Sequence, residues 1–170
     1  RQMCIRDRLG GLPLLARKVL QLRDASVGQV FVGSDSPDYI KLAEAYGAIG
    51  VLRDPIACDE AQASANEMIA DFVIKIPPDF DVILWAHCTN PFLFAKQYDA
   101  ALRLFKSRND RFDSLLSVQK IQNHLWSDEL KPINYDPWAP RHTLARDLDP
   151  IFMQSGGIFI QRREDMCRNS

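Results

Sequence analysis

The fold prediction rests on the stretch Asp81-Val-Ile-Leu-Trp-Ala-His-Cys-Thr-Asn-Pro91, in which an apolar run passes directly into a polar one. A continuous apolar run is typical of a central parallel strand that is covered on both faces, so we expect a strand over 81–86. In sheets of this kind, ligands bind beyond the carboxyl ends of the strands. The polar residues 87–90 are therefore candidates for a binding site.

Helical and strand patterns alternate on both sides of this stretch. The spacing of apolar residues predicts helices over 13–22, 37–46, 61–76 and 91–105. Short β-branched and apolar runs predict strands over 28–33, 48–52, 114–118 and 157–160. Such alternation predicts an α/β fold with a mainly parallel sheet. We expect 28–33, 81–86 and 114–118 to be neighbouring strands of one parallel sheet.

Composition excludes several classes of protein. The length of 170 residues suits one domain, and 46% hydrophobic with 25% charged residues is ordinary globular composition. The net charge of −1 and the lack of a basic patch argue against nucleic-acid binding, and no apolar run is long enough for a membrane span. The four cysteines form no CxxC pair, so we expect no zinc or disulfide framework and a reduced, cytoplasmic setting.

The two ends of the sequence have a different character. Residues 1–8, RQMCIRDR, show neither helical nor strand periodicity and lack the apolar region of a signal peptide. We interpret them as a non-native scar and residues 9–170 as the domain. At the other end the chain stops where a helix is starting, so we interpret the sequence as an internal fragment.

The residues that follow 81–86 allow two interpretations. Thr89 and Asn90 offer a hydroxyl and an amide where a nucleotide or sugar would bind, or one of them caps a helix that begins at Pro91. A nucleophilic pair of His87 and Cys88 is disfavoured, because adjacent residues at a strand end point to opposite faces.

Other polar residues also follow predicted strands. Ser34 and Asp35 could hold a ribose hydroxyl or a metal, although we favour helix capping. Arg53 could pair with a phosphate or a base edge, or be a solvated arginine. As a residue of a post-strand loop, it is not expected to belong to the core.

The irregular segment 119–148 carries a cluster of charges and aromatic residues. Arg141 and Arg146 could dock an acidic substrate or belong to a solvated loop. Asp147-Leu-Asp149 fits a three-residue metal motif, which commonly arises by chance. We interpret Trp126 and Trp138 as packing anchors rather than base-stacking platforms.

The order of short motifs along the chain resembles the acylneuraminate cytidylyltransferase family. Six motifs between residues 9 and 162 are similar to the family's runs, in the right order: 9–14, 30–47, 53–64, 83–93, 113–126 and 145–160. The last aligns without a gap to R-Q-D-L-P-P-V-Y-x-x-N-G-A-I-Y-I. The resemblance implies a three-layer, Rossmann-like nucleotidyltransferase fold.

The chain also departs from the family pattern. The glycine-rich phosphate loop P-A-R-G-G-S-K and the first strand would precede Leu9 and are missing, and Leu12 replaces the lysine of G-K-P. Ser155 stands where the family has the asparagine of N-G. A missing first strand implies a sheet edge or a gap beside the central strand. We therefore expect the 170-residue chain to fold at least partly but not to catalyse.

The resemblance implies cytidylyl transfer from CTP to a 2-keto sugar acid of the sialic, legionaminic or pseudaminic acid type, with release of pyrophosphate. It implies Mg²⁺ as cofactor, with ligands outside this chain, and a homodimer in which 119–148 is a dimerisation or sugar-binding arm. Nucleotide contacts are assigned to Asp35, Arg53, Ser64, Cys88, Thr89 and Asn90. Contacts to the acidic sugar are assigned to Arg141, Arg146, Ser155 and Phe159.

Two alternatives stay open at this point. A sugar-nucleotide glycosyltransferase would use Asp147 and Asp149 as a metal motif and consume UDP- or GDP-sugars. A non-catalytic homologue that binds nucleotide, or only assembles with partners, would explain the altered motif positions.

Overall fold

A computed structural model describes residues 7–108 and 110–168 of the chain. The chain divides into two compact units, of which the first comprises residues up to Leu116 together with those from Gly156 onward. The second unit comprises Ser117–Ser155. The boundary between the units therefore falls within two strands, 114–121 and 151–162.

Helices and strands alternate through the first unit, as the sequence predicts. The helices are α1 (Leu14–Arg23), α2 (Pro37–Ala45), α3 (Ala65–Ile74), α4 (Ala95–Arg108) and α5 (Arg163–Arg168). The strands are β1 (Arg8–Leu9), β2 (Leu12–Pro13), β3 (Phe31–Ser34), β4 (Ile49–Leu52), β5 (Val82–Trp85), β6 (Ser114–Ile121) and β7 (Ile151–Arg162). Within the described ranges, no helix combines the length and apolar character needed to cross a membrane.

Two helices begin later than the sequence predicts. The start of α3 is fixed by a capping box, in which Ser64 accepts from the backbone of Glu67 and the Glu67 carboxylate accepts from the backbone of Ser64. Helix α4 begins at Ala95 rather than at Pro91. The interpretation of Thr89 or Asn90 as its capping residue is therefore wrong, because both lie more than a turn upstream.

The pairing of the strands differs from the prediction. Strand β3 pairs in parallel with β4, whereas β5 pairs antiparallel with β7 in a sheet of order β5-β7-β6. The three segments predicted as neighbours are all strands, but β7 separates β5 from β6 and β3 is bonded to neither. The prediction of one mainly parallel sheet thus holds only for β3 and β4, since an apolar run indicates a buried strand without specifying its partner.

Both faces of β5 are covered, as its apolar run predicts, although β5 lies at the edge of its sheet and pairs antiparallel with β7. Val82 and Leu84 pack with Tyr98 and Phe105 of α4. On the opposite face Ile83 packs in a cluster with Val73 of α3 and Met166 of α5. Layers of helix, sheet and helix make this an α/β fold.

A pocket lies between β3 and β5, the facing strands of the two sheets. A pocket of about 380 Å³ is lined by β3 on one side and by β5 on the other. Val30 packs with Leu15 and Val19 of α1, while Phe31 packs with the cluster around α3. Successive residues of β3 therefore face α1 on one side and α3 on the other. Successive residues of β5 likewise face α4 on one side and α3 on the other.

The N-terminal hairpin shows that the first described residues belong to the fold. Strands β1 and β2 are joined by Gly10 and Gly11, whose positive φ angles of 60° and 82° favour glycine. Asp7 O accepts from Leu14 N at 2.9 Å, and Arg8 donates to Gly11 O at 2.7 Å. Asp7 and Arg8 thus make hydrogen bonds within the hairpin, while the interpretation of residues 1–8 as a non-native scar stays a prediction, and its residues 1–6 lie outside the described ranges.

Candidate active site

The carboxyl ends of β3 and β5 meet at one end of the pocket. Phe80, which precedes β5, packs against Phe31 at the start of β3, with ring centroids 5.4 Å apart. The ring of Phe72 lies against Gly33 near the end of β3 and 5.6 Å from the ring of Trp85 at the end of β5. The two strands consequently run in the same direction, and the segments that follow them face one site.

Buried Lys18 of α1 holds the turn that follows β5. Its ammonium group donates to Tyr98 Oη at 2.6 Å and to the backbone oxygen of Asn90 at 2.9 Å. Gln21, one turn further along, donates to the backbone oxygen of Pro91 at 2.7 Å. Burial lowers the pKa of Lys18 to about 8, although the nearby Cys88 thiolate would favour the charged form. Helix α1 thus fixes the path of residues 87–91.

The position of Lys18 in the sequence is a signal of its burial. Lys18 lies three residues after Leu15 and four before Leu22, which places it on the apolar face of α1. Charged residues are rare on the apolar face of a helix, because a buried charge is costly unless it has hydrogen-bonding partners.

Arg53 is a buried structural residue, so the expectation that it lies outside the core is wrong. Its Nε donates to Asp71 Oδ2 at 2.9 Å, and its Nη2 donates to the backbone oxygens of Ala57 and Met68. Its guanidinium also lies 5.4 Å from the centroid of Phe72. These contacts join the end of β4 to α3, while the side chain still lines the pocket.

Burial and hydrogen bonding shift the pKa of Asp71, the ion-pair partner of Arg53, in opposite directions. Desolvation alone would raise the pKa of this carboxyl group. Hydrogen bonds from Lys75 and Arg53 outweigh it and lower the pKa below its ordinary value. Asp71 is therefore the anion that compensates the buried guanidinium.

His87 and Cys88 line the pocket directly after β5. The His87 side chain is exposed overall, but its ring lies 6.4 Å from that of Trp85 and partial desolvation lowers its pKa. Burial raises the pKa of the Cys88 thiol. Because the thiolate is the nucleophilic form, a raised pKa argues against a nucleophilic role for Cys88.

The other residues assigned to the nucleotide have varied surroundings. Thr89 is exposed, and the backbone oxygen of Asn90 accepts a hydrogen bond from Lys18. Asp35 is exposed at the end of β3, with its carboxylate 3.4 Å from Ser34 Oγ. Ser64 caps α3. Of the six assigned residues, Arg53 and Cys88 line the pocket between the strands.

The prediction that Ser34 or Asp35 caps α2 is wrong. Ser36 is the residue that precedes α2, and it makes no side-chain capping bond. Ser34 Oγ instead accepts from the backbone of Ser36 at 3.1 Å and forms a local turn. Ser34 also lines the pocket, so its hydroxyl belongs to the candidate site.

Three of the four residues assigned to the sugar lie in the second unit. Arg141 is exposed, and Arg146 is exposed with its Nε 3.7 Å from Asp147 Oδ1. Ser155 Oγ is 2.7 Å from Ser117 Oγ. Phe159, in the first unit, packs in the cluster with Ile83 and Met166, so its side chain is a core contact.

Aromatic side chains cluster within the second unit. The rings of His124 and His142 stack with centroids 4.7 Å apart, and Tyr135 meets His124 edge-on at 4.6 Å. His124 Nε2 lies 2.8 Å from the backbone oxygen of Thr143. Trp126 contacts Tyr135 but is half exposed, whereas Trp138 is 82% exposed. The interpretation of Trp138 as a packing anchor is therefore wrong.

The described residues do not fit a magnesium site. Over 7–108 and 110–168, no three histidine, cysteine, aspartate or glutamate side chains are grouped so that they could hold a metal ion. Asp147 and Asp149, the candidate metal motif, are both exposed. Two exposed carboxylates on their own offer few of the oxygen ligands that Mg²⁺ requires.

Known proteins with similar sequences are named cytidylyltransferases. N-acylneuraminate cytidylyltransferase B of Danio rerio is 28% identical over 161 residues, which cover 92% of this chain and 37% of that protein. N-acylneuraminate cytidylyltransferase of Streptococcus agalactiae serotype V is 25% identical over 144 residues, covering 82% of this chain and 34% of that protein. The chain thus spans about a third of the length of these curated relatives.

Solved structures share the fold at low sequence identity. A CMP:2-keto-3-deoxy-manno-octonic acid synthetase complexed with CTP superposes with a TM-score of 0.69 at 14% identity, covering 98% of this chain and 69% of that chain. The 4-diphosphocytidyl-2C-methyl-D-erythritol synthase of Anaerococcus prevotii gives 0.64 at 11% identity, covering 95% and 64%. The Cytidylyltransferase family profile matches residues 7–166, so the chain belongs to the cytidylyltransferase family.

Proposed function

We propose that the protein transfers a cytidylyl group from CTP to a 2-keto sugar acid of the sialic, legionaminic or pseudaminic acid type. The observation that carries this proposal is the family match over residues 7–166, which includes both strands that line the pocket. The names of the relatives, and the CTP in one structural neighbour, support CTP and an acidic sugar as substrates.

The reaction is a substitution at phosphorus. The anomeric hydroxyl oxygen of the sugar acid attacks the α-phosphorus of CTP, and a new oxygen–phosphorus bond forms. The bond from that phosphorus to the oxygen that bridges to the β-phosphate breaks, so pyrophosphate leaves. The hydroxyl proton is lost to a base. Negative charge on the phosphates is stabilised by hydrogen-bond donors and cations.

We assign nucleotide contacts to the residues around the carboxyl ends of β3 and β5. Arg53 and Cys88 line the pocket, and the exposed Asp35 carboxylate can accept hydrogen bonds from ribose hydroxyls. Thr89 and Asn90 belong to the turn that Lys18 and Gln21 hold in place. Ser64 is the remaining assignment, although its hydroxyl also serves the α3 cap.

The carboxylate of the sugar acid is assigned to arginines of the second unit. The exposed guanidinium groups of Arg141 and Arg146 can each form paired hydrogen bonds with a carboxylate. The exposed side chains of Trp126, Ile133 and Trp138 suit an interface between two copies, so we also propose a homodimer. Magnesium and a cytoplasmic location remain predictions.

Pyrophosphate release tests the proposal. We would supply CTP, Mg²⁺ and a panel of nonulosonic acids to the 170-residue chain and to the longest open reading frame that contains it. We expect pyrophosphate release with CTP and one of the nonulosonic acids, and none when either substrate is omitted. Consumption of UDP- or GDP-sugars with Mn²⁺, and none of CTP, would instead identify a glycosyltransferase.

A substitution of Arg146 tests its assignment to the sugar site. Arg146→Ala should raise the KM for the sugar acid and leave the KM for CTP unchanged. Arg103→Ala removes a comparably exposed arginine from α4 and serves as the matched control. An unchanged KM for the sugar acid in Arg146→Ala would remove Arg146 from the sugar site.

A further inference from the structure

The hydrogen bonds within the turn between β5 and α4 are long. Asn90 N donates to His87 O at 3.3 Å, and Leu93 N donates to Asn90 O at 3.4 Å. Backbone hydrogen bonds are commonly about 2.9 Å long, so these two hold the turn only weakly. Pro91 has no N–H group with which to add a third. The conformation of the turn therefore depends on contacts from other elements.

Two buried side chains of α1 supply such contacts. Lys18 Nζ donates to Asn90 O at 2.9 Å, and Gln21 Nε2 donates to Pro91 O at 2.7 Å. Because the two residues are three apart in a helix, they lie on one face of α1. Both side chains are shielded from water, where hydrogen bonds are stronger. One face of α1 thus holds two consecutive carbonyl groups of the turn.

The ammonium group of Lys18 has neutral neighbours. The titratable groups that face it are the Tyr98 hydroxyl of α4, which accepts its hydrogen bond at 2.6 Å, and the Cys88 thiol of the turn. Burial raises the pKa of both groups, so both are uncharged at neutral pH. Over residues 7–108 and 110–168, no carboxylate forms an ion pair with Lys18.

Other charged residues of the two helices have separate partners. Arg17 of α1 donates to Leu9 O at 2.6 Å, and the Asp99 carboxylate of α4 accepts from Ser26 N at 2.6 Å. The positive charge of Lys18 is therefore compensated only by dipoles, and an apolar side chain of similar length would avoid this cost. A side chain that costs stability and also holds the backbone of a candidate site indicates a functional role.

We propose that Lys18 is a positioning residue of the nucleotide site, which acts through the backbone of Asn90 and is required in its charged form. This inference rests on the proposed function, because it concerns CTP bound at the turn 87–91. The charged group makes the stronger hydrogen bond to Asn90 O, and the negative phosphates of CTP favour the same form. In alkaline solution, CTP binding should therefore be accompanied by uptake of a proton on Lys18.

The affinity for CTP should consequently depend on pH. Burial lowers the pKa of Lys18 to about 8, so in the free protein most of this side chain is charged at pH 7.5 and most is neutral at pH 9.0. At the higher pH, binding must also protonate the amine. We expect the Kd for CTP to rise about fivefold between these two pH values.

Calorimetric titration with CTP and Mg²⁺ tests the proposal on the product of the longest open reading frame that contains this chain. Lys18→Met should bind CTP about tenfold more weakly at pH 7.5 and show the same Kd at pH 9.0. Gln21→Met removes the other bond to the turn but no charge, so it should weaken binding and keep the fivefold pH dependence. Arg103→Met removes an exposed cation of α4 and should match the wild type at both pH values.

Proton uptake is a second readout, which a purely structural role of Lys18 would not produce. It is measured at pH 8.5 by repeating the titration in buffers of different ionisation enthalpy. The wild type should take up a fraction of a proton with each CTP, and Lys18→Met should take up none. If Lys18→Met does not fold, the wild-type measurement remains decisive, since binding without proton uptake would contradict the proposal.

The failure of this proposal differs from failure of the proposed function. CTP binding by folded Lys18→Met with wild-type affinity, or with the wild-type pH dependence, would overturn the role of Lys18 and leave the nucleotide site in place. A wild-type protein that binds no CTP at either pH would overturn the proposed function and this proposal together.

Discussion

The ammonium group of Lys18 donates a hydrogen bond of 2.6 Å to the hydroxyl of Tyr98, and both side chains are buried between α1 and α4. The ammonium also lies 5.1 Å from the centroid of the Tyr98 ring. Because the same group donates to the backbone of Asn90, one buried charge connects two helices with the turn at the candidate site. Its protonation state should therefore affect both stability and site geometry.

The stability of the protein should rise with pH in a window set by Lys18. Burial lowers the pKa of Lys18 from 10.5 to about 8 in the folded state. Between these values the unfolded chain binds more protons, so the free energy of unfolding increases with pH, by on the order of 3 kcal/mol in total. Urea unfolding at pH values from 7 to 10 measures this rise, and Lys18→Met should lack it. The same rise in Lys18→Met would contradict the assignment.

Tyr98 sets the upper limit of that window. Burial raises the pKa of Tyr98 from its ordinary value of 10.0 to about 12, so the folded state retains this proton to higher pH than the unfolded chain. Stability should consequently fall as the pH rises above 10. The fall above pH 10 should persist in Lys18→Met, because the Tyr98 hydroxyl stays buried in that variant.

Arg53→Ala should destabilise the fold, by about 1–3 kcal/mol, because it removes the hydrogen bonds of the buried guanidinium to Asp71 and to two backbone oxygens, while Asp71 keeps its ion pair with Lys75. Urea denaturation measures the loss, and Arg103→Ala, at an exposed position, should remain within about 0.5 kcal/mol of wild type. A folded Arg53→Ala protein of wild-type stability would return Arg53 to the solvated-loop interpretation. Loss of CTP binding in Arg53→Ala is informative only if the variant is folded.

Ser64→Ala separates a structural role from a nucleotide role. Removing the capping box should reduce the free energy of unfolding by about 1 kcal/mol. Glu67→Ala removes the other half of the same box and is the matched control. If Ser64 contacts the nucleotide, CTP affinity should fall in Ser64→Ala and not in Glu67→Ala. Equal CTP affinity in both variants would restrict Ser64 to the cap.

The sequence predicted features that depend on local pattern. The apolar run from Val82 to Trp85 indicated a strand covered on both faces, and the packing confirms it. The partner of that strand could not be predicted, since the choice of β7 depends on contacts between segments distant in the chain. The position of the binding site stays a prediction, which rests on the rule that ligands bind beyond the carboxyl ends of strands, and His87 and Cys88 line a pocket there.

Individual side chains of the site were harder to predict. Arg53 follows a strand and looked solvated, because nothing nearby in the sequence marks Asp71, eighteen residues later, as its partner. Lys18 carries a charge on the apolar face of α1, and its partners Tyr98 and Asn90 lie more than seventy residues away in the sequence. In both cases a distant partner determines burial, so local pattern alone is insufficient.

The central claim, that this chain carries a cytidine nucleotide site, is tested most directly by a thermal-shift panel on the longest open reading frame that contains it. The panel compares CTP with Mg²⁺, a UDP-sugar with Mn²⁺, and each metal alone. A ligand that binds only the folded state raises the melting temperature, with about 2.7 kcal/mol of stabilisation at a hundredfold excess over Kd. We predict a shift with CTP and none with the UDP-sugar. A shift with the UDP-sugar alone, or with neither nucleotide, would contradict the account.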